Sequence, residues 1–144
     1  MKSKLFIEGP ITSDFISHSI AKHQSKTSIG AHNIFLGQVR ADEIGDQLVT
    51  GIEYSSYPEM AEQKVYDIRE YAIEKYDLTC LHIYHSLGKV KSGEICLFVF
   101  VSAKRRKEVY KATEEIVNLV KEEAPIFGKE ILEDESYVWK KNIM

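Results

Sequence analysis

Two lysines flank an apolar turn near residue 125 and could act together as fixed cations. The stretch KEEAPIFGKE places Lys121 before the turn and Lys129 after it, and Pro125 separates them. Lysine supplies a point charge, and burial lowers its pKa, so a lysine in a cleft suits anion binding or proton transfer. By pattern alone, Lys121 is also an ordinary cation at a helix C-terminus, where the helix dipole favours it.

Other basic residues could extend such a site. Arg40 ends the stretch GQVR, and residues 104–107 form the basic run KRRK. Arginine suits phosphate because its planar guanidinium donates to two oxygens at once. The simpler alternatives are an exposed arginine at a strand end and a solvated helix start. The formal net charge of −3 gives no overall basic field, so we predict no nucleic-acid partner.

Two cysteines, Cys80 and Cys96, lie in apolar, strand-like segments without a CxxC motif. Buried free thiols are the expectation, and we predict neither a metal site nor thiol catalysis. No window approaches 18 apolar residues, and the stretch MKSKLFIEGP lacks the apolar run of a signal peptide. We therefore expect a cytoplasmic protein with no membrane segment.

Hydrophobic spacing predicts three main helices. The first lies within TSDFISHSIAKHQS, the second begins at Pro58, and the third covers KRRKEVYKATEEIVNLVKEEA and is ended by Pro125. Apolar residues recur in all three at intervals of three and four, and proline is tolerated at the first turn of a helix but not in its interior.

The remaining apolar segments predict strands, in the order β-α-β-β-α-β-β-α-β-β. The run from Ile95 to Val101 is apolar on both faces, which is typical of a central strand. Gly37 indicates a bulge or a close backbone approach. A closing hairpin is expected near residues 129–141, with Trp139 packed against the body. This order favours one α+β domain over residues 1–144, with helices covering one face of a mixed or mostly antiparallel sheet.

Five stretches together are similar to one family: GAHNIFLGQVR, IEYSSYPEMAE, HIYHSLGKVKSGE, VFVSAKRR and VKEEAPIFGKE. Their order and spacing resemble the large, catalytic subunit of molybdopterin synthase, the MoaE family, from about Gly30 to Trp139. The resemblance implies an α/β hammerhead-like fold, a homodimer, and a small ubiquitin-like subunit with a C-terminal Gly-Gly thiocarboxylate. It also implies that cyclic pyranopterin monophosphate accepts two sulfurs to become the dithiolene of molybdopterin, with no metal or cofactor.

The same resemblance implies roles for particular residues. Lys121 matches a catalytic lysine, and Arg40 matches an arginine of the substrate pocket. Lys104 and Arg105 match a His-Arg pair, so they are expected to bind the anionic substrate. His85 and Glu53 are expected to be structural.

Three positions depart from the family pattern. Lys104 replaces a histidine, Ser86 replaces an arginine after His85, and Gly128 stands where a second catalytic lysine is expected. Either Gly128 lets the backbone turn so that Lys129 reaches the pocket, since glycine adopts conformations that other residues avoid, or the second lysine is lost.

Three functional hypotheses follow from these matches and departures. The first is a molybdopterin synthase catalytic subunit. The second is a catalytically impaired homologue that binds the ubiquitin-like partner or an anionic ligand. The third is a generic anion- or nucleotide-binding domain.

Overall fold

The computed structural model describes residues 4–140. Within this range the chain forms three helices: α1 (Ser13–His23), α2 (Pro58–Tyr76) and α3 (Arg106–Glu123). The strands are β1 (Phe6–Glu8), β2 (Ala31–Gln38), β3 (Glu43–Ile44), β4 (Gln47–Ser56), β5 (Cys80–Lys91), β6 (Ile95–Ala103), β7 (Ile126–Leu132) and β8 (Tyr137–Trp139). This α+β composition confirms the predicted class. No helix within residues 4–140 is long and apolar enough to cross a membrane.

One sheet organises these elements, in the strand order β2-β6-β5-β4-β7-β8. All neighbours along this order are antiparallel, and the short β3 pairs with β4 in the same sense. Only β1, among the described strands, pairs in parallel, against β5. The prediction of a mixed, mostly antiparallel sheet is therefore confirmed. Strand β5 extends to Lys91, because residues 88–91 form a ladder with β4.

Helices lie on both faces of the sheet, so the predicted one-sided cover is wrong. Leu97, Val99 and Val101 of β6 point into a core with α2 and α3, whereas Phe98 and Phe100 point to the other side. There they meet apolar residues of α1. Strand β6 is apolar on both faces because both faces are covered, as its central position predicts.

Helix α3 returns along β6. It begins after Arg105, buries one apolar stripe against the sheet, and ends at Glu123, directly before Ala124 and Pro125. Pro125 disfavours helical backbone in the residue before it, and Ala124 is accordingly extended (φ −78°, ψ 131°). Because α3 runs back along β6, its C-terminal end lies close to the start of β6. The chain then enters β7.

Gly37 marks the predicted irregularity. The β2–β6 register shifts between Gly37 and Gln38. A Cβ atom at residue 37 would lie 3.1 Å from the Cβ of Leu97, so a larger residue would press on the central strand. The shift turns the chain after β2 toward the start of β6.

The closing hairpin forms, but Trp139 does not pack against the body. The sheet ends at β8, and all three residues of this strand are exposed, with Trp139 58% exposed. Residue 141 lies outside the described residues. The segment around Pro125 is held by strand pairing, since Ser56 pairs with Ile126, whereas Phe127 stays exposed.

A polar cluster ties α2 to α3. The Glu115 carboxylate accepts from the Tyr71 hydroxyl at 2.5 Å, from Lys75 Nζ at 3.0 Å, and from the Tyr76 hydroxyl. The hydrogen bonds from Tyr71 and Tyr76, and then the Lys75 charge, hold the pKa of Glu115 down at about 2. The ionised carboxylate therefore stabilises the folded state.

We expect Glu115→Ala to lower the free energy of unfolding by about 1 kcal/mol at pH 7. The effect is small because hydrogen bonds and ion pairs at a partly exposed site contribute less stability than buried ones. Because the folded pKa is depressed, the contribution of Glu115 is complete above pH 4.5 and is lost as pH falls toward 2. Denaturant unfolding at pH 7 and pH 2.5 measures both values, with the exposed neighbour Glu114→Ala as control. An equal destabilisation at both pH values would contradict this assignment.

Candidate active site

A cavity of about 360 Å³ opens where the end of β2, the start of β6 and the end of α3 meet. Strand β2 contributes Gly37 and the turn after it, β6 contributes Cys96, and α3 contributes Lys121. Strands β4 and β7 close the opposite side with Tyr54 and Gly128. The site is thus assembled from segments far apart in sequence by the antiparallel order of the sheet.

The cavity carries more positive than negative side chains. Arg40, Lys121 and Lys140 line it, against two carboxylates, Asp42 and Glu130. This excess contrasts with the whole chain, whose formal net charge is −3. The cavity therefore suits an anionic ligand better than the surface as a whole does.

Arg40 is paired but accessible. Its Nε and Nη2 atoms each lie 3.2 Å from a different oxygen of Asp42, and its side chain is 75% exposed. An exposed pair of this kind contributes little stability, at most about 1 kcal/mol. A phosphate that enters the cavity can therefore compete with Asp42 for the guanidinium.

His85 is a buried, neutral part of the wall. Burial, with a smaller contribution from the nearby Lys121 charge, lowers its pKa to about 4. Its Nδ1 lies 2.8 Å from the Ser86 carbonyl oxygen. Since a carbonyl only accepts, Nδ1 carries the proton and Nε2 is left as an acceptor. At neutral pH the imidazole adds no charge to the site.

Tyr54 and Cys96 form a second neutral pair. Burial raises the pKa of both groups, and the two groups lie close enough to shift each other's pKa, with the thiol raising that of Tyr54 and the hydroxyl lowering that of Cys96. The thiol in turn donates to the Gly37 carbonyl oxygen at 3.5 Å. Lys121 and Lys140 oppose the effect of burial and lower the pKa of Cys96. Both ammonium groups therefore act on the same buried sulfur.

The structure does not place Lys129 in the cavity. Strand β7 pairs with β4 through Gly128 in unbroken register, so alternate residues face opposite sides. Ile126, Gly128 and Glu130 line the cavity. Lys129 turns away, with its Nζ 3.6 Å from Glu53 and 4.5 Å from the ring centre of Tyr137. The hypothesis that Gly128 redirects the backbone to bring Lys129 inward is therefore wrong for this chain taken alone.

Lys104 and Arg105 also lie away from the cavity. They follow Ala103, the last residue of β6. Ala103 lies seven residues past Cys96, which is about 23 Å along the strand. Both side chains are exposed, and the Lys104 carbonyl packs so closely on Gly30 that a Cβ there would lie 2.1 Å away. Five residues were expected at the site: Arg40, Lys104, Arg105, Lys121 and Lys129. Within one chain, the cavity brings together two of them, Arg40 and Lys121.

The departures at Ser86 and Gly128 have different consequences. Ser86 is fully buried, does not line the cavity, and its hydroxyl has no hydrogen-bond partner among residues 4–140. Ser86 follows His85 in β5 and therefore points to the opposite side of the strand, so this departure adds or removes no group in the cavity. Gly128 does line the cavity and leaves room there, since it has no side chain.

Lys140, Tyr54 and Cys96 were missed by the sequence reasoning. Lys140 lies one residue past β8, and its backbone N–H donates to the Gly128 carbonyl at 2.8 Å. The alternation of strand side chains would have predicted this position only if the register of the hairpin had been known.

A second cluster joins His23, Cys80 and His82, whose potential ligand atoms lie within 4.8 Å of one another. His82 lies two residues after Cys80 on the same face of β5, whereas His23 comes from α1. However, Lys26 Nζ already lies 3.0 Å from the Cys80 sulfur, and its charge opposes a bound cation. The His23 ring packs against His82 and Phe100, with ring centres 4.8 and 4.7 Å apart. We interpret this cluster as packing of the core under α1.

Comparison with known proteins places this geometry in a family. A family model described as "MoaE protein" matches residues 11–123. The molybdopterin synthase catalytic subunit of Pyrococcus abyssi is 36% identical over 115 residues, which are 80% of this chain and 76% of that protein. That of Emericella nidulans is 35% identical over 121 residues, 84% of this chain and 62% of that protein. The chain thus spans less than two thirds of this fungal relative.

Solved structures agree with the sequence relatives. The crystal structure of molybdopterin synthase from Staphylococcus aureus superposes with a TM-score of 0.82 at 30% identity, covering 98% of both chains. A complex of subunits 1 and 2 of molybdopterin-converting factor from Helicobacter pylori 26695 shares the fold, with a TM-score of 0.81 at 20% identity over 95% of this chain and 89% of that one. Taken with the sequence matches, this likeness shows that the chain belongs to the MoaE family.

Proposed function

We propose that this chain is a catalytic subunit of molybdopterin synthase. In this proposal it transfers sulfur from the C-terminal thiocarboxylate of a small ubiquitin-like protein to cyclic pyranopterin monophosphate. The observation that carries the proposal is the meeting of Arg40 and Lys121 in one cavity. Membership of the MoaE family supports it, and the cytoplasm is the proposed location.

The chemistry requires fixed cations. The substrate carries a phosphate, and the thiocarboxylate of the donor is ionised at neutral pH, so two anions must come close together. Positioned cations in a partly enclosed site reduce their repulsion and stabilise charge that builds on oxygen as sulfur replaces it. The excess of positive side chains around the cavity meets this requirement.

The cations suit different tasks. Arg40 is exposed and presents two donors in a plane, so we assign it to the phosphate. Lys121 is next to the buried wall formed by His85 and Cys96, whose pKa values its charge lowers. We assign Lys121 to the reacting end, where its ammonium stabilises the oxygen that leaves the substrate. The thiocarboxylate sulfur forms a bond to the substrate carbon as that oxygen leaves as water. A water molecule then hydrolyses the resulting thioester, which breaks the acyl C–S bond, leaves the sulfur on the substrate and leaves the donor with a terminal carboxylate.

The proposed assembly is a homodimer with one small sulfur-carrier subunit for each catalytic chain. Within one chain, Lys104 and Arg105 lie about 23 Å along β6 from the cavity wall. A second copy could bring its own Lys104 and Arg105 to this cavity, as a symmetric dimer repeats every contact twice. We propose that these two residues bind substrate across the dimer interface.

The impaired homologue remains the second candidate, because Gly128 removes a side chain from the cavity. It would bind the small subunit and the pterin but form no dithiolene. The purified chain, thiocarboxylated small subunit and cyclic pterin, assayed for dithiolene product, separate the two candidates. Binding without product, under conditions in which the Staphylococcus aureus enzyme is active, would favour the impaired homologue.

Lys121→Ala should lower the rate of dithiolene formation by about 10²-fold or more, as expected for loss of one group that stabilises developing charge. Affinity for the small subunit should stay unchanged. Steady-state kinetics and a pull-down with the small subunit measure the two effects, with the exposed Lys111→Ala of the same helix as control. An unchanged rate for Lys121→Ala would remove Lys121 from its proposed role.

Mixing two inactive variants tests the dimer. Arg105→Ala and Lys121→Ala should each be inactive alone, but coexpression should restore about a quarter of the wild-type activity. Half of the dimers are then mixed, and each mixed dimer has one site with both residues intact. Activity no higher than that of the separate variants would reject a site shared between copies.

A further inference from the structure

Lys140 is the cation of the cavity to which the sequence matches assign no role. It is half-buried, lines the cavity, and follows directly after β8. We propose that Lys140 binds the anionic pterin substrate opposite Lys121 and supplies the second ammonium of the site. This inference rests on the proposed function for the identity of the ligand.

The register of the hairpin fixes the direction of Lys140. In the β7–β8 ladder, Lys129 pairs with Trp139 and Glu130 with Val138. The backbone N–H of Lys140 donates to the Gly128 carbonyl at 2.8 Å, which extends this ladder by one residue. Residues directly opposite each other in an antiparallel pair share a face, so Lys140 lies on the cavity face with Gly128.

Gly128 makes room for the Lys140 side chain. A Cβ atom at residue 128 would lie 3.6 Å from the Cβ of Lys140 and 3.0 Å from Cγ2 of Ile52. A side chain at residue 128 would therefore press on Ile52 and on Tyr54, whose Cε1 would lie 3.3 Å away, and would be in van der Waals contact with Lys140. Without it, Lys140 can cover the floor of the cavity with its aliphatic stem and present its ammonium to a ligand.

The two lysines reach the cavity from different elements. Lys121 comes from the end of α3 and Lys140 from beyond β8, and both line the same cavity of about 360 Å³. Both also lower the pKa of the buried Cys96 thiol, which lines this cavity as well. One anionic ligand in the cavity can therefore meet both lysines. Glu130 also lines the cavity, and its carboxylate reduces the repulsion between the two ammonium groups.

The test is the affinity of the full-length chain for cyclic pyranopterin monophosphate, together with kcat/KM for dithiolene formation. Lys140→Met keeps much of the side-chain volume and removes the charge. It should raise the Kd of the pterin about tenfold and lower kcat/KM at least as much, since a charge-assisted contact is lost. Lys140→Arg should retain most of both, and Lys111→Met is the matched control.

A comparison of two variants at the same position makes the test specific. The conservative pair Lys140→Arg and Lys140→Met differs in charge, so a difference in pterin Kd between these two variants reports the cation itself. Fluorescence of Trp139, the only tryptophan in the sequence, and thermal unfolding show whether each variant keeps the hairpin. An affinity loss in Lys140→Met with an unchanged hairpin supports the role of Lys140.

The outcomes separate this inference from the proposed function. If the wild type makes dithiolene and Lys140→Met equals it in Kd and kcat/KM, Lys140 has no role and the enzyme assignment stands. If the wild type makes no product but Lys140→Met still weakens pterin binding, the enzyme assignment fails and the anion site at Lys140 stands. No product and no difference in binding would overturn both.

Discussion

The antiparallel return of α3 along β6 determines where the cations of this protein can act. From its first to its last residue, strand β6 is about 26 Å long, and helix α3 has nearly the same length. The helix therefore brings Lys121 back to the level of Cys96, where β6 began. The same match leaves Lys104 and Arg105, at the turn between the two elements, at the far end of the molecule. One chain cannot place both groups in one cavity.

The neutral wall of the cavity makes these cations effective. His85 has a pKa of about 4, and the pKa values of Tyr54 and Cys96 are raised. None of the three is ionised near neutral pH, so the field in the cavity is set by the cations and carboxylates at its edge. Each buried group also has a defined partner, which orients it without adding charge. An anion that enters meets fixed positive charge over a polar, neutral surface.

Much of the fold could be predicted because the spacing of apolar residues is regular. The three helices follow from apolar intervals of three to four residues, and the central β6 follows from its continuous apolar run. The placement of helices on both faces could not be predicted, since a strand that is apolar on both sides does not show what covers each side. The exposure of Trp139 could not be predicted either, because the sequence does not show that β8 is the last strand of the sheet.

The candidate site was predictable where a residue's position follows from its own element. Arg40 lies two residues past the end of β2, and Lys121 lies in the last turn of α3, so local pattern and resemblance were sufficient to find them. Lys129 and Lys140 depend on how two strands pair, and a shift of one residue in register exchanges the two faces of a strand. The match to the family motif by sequence position therefore favoured Lys129, whereas the pairing of β7 with β8 turns Lys140 to the cavity.

The pairing of Gly128 with Lys140 shows why a missing side chain need not mean a missing charge. Positions opposite each other in an antiparallel ladder face the same space, so either strand can supply the group that fills it. A glycine at residue 128 leaves the space beside Lys140 open, where a Cβ would lie 3.0 Å from Cγ2 of Ile52 and 3.6 Å from the Cβ of Lys140. The number of cations in the cavity is thus a property of the strand pair and not of either strand alone. The choice between the active and the impaired protein therefore depends on what Lys140 does, and not on position 128 alone.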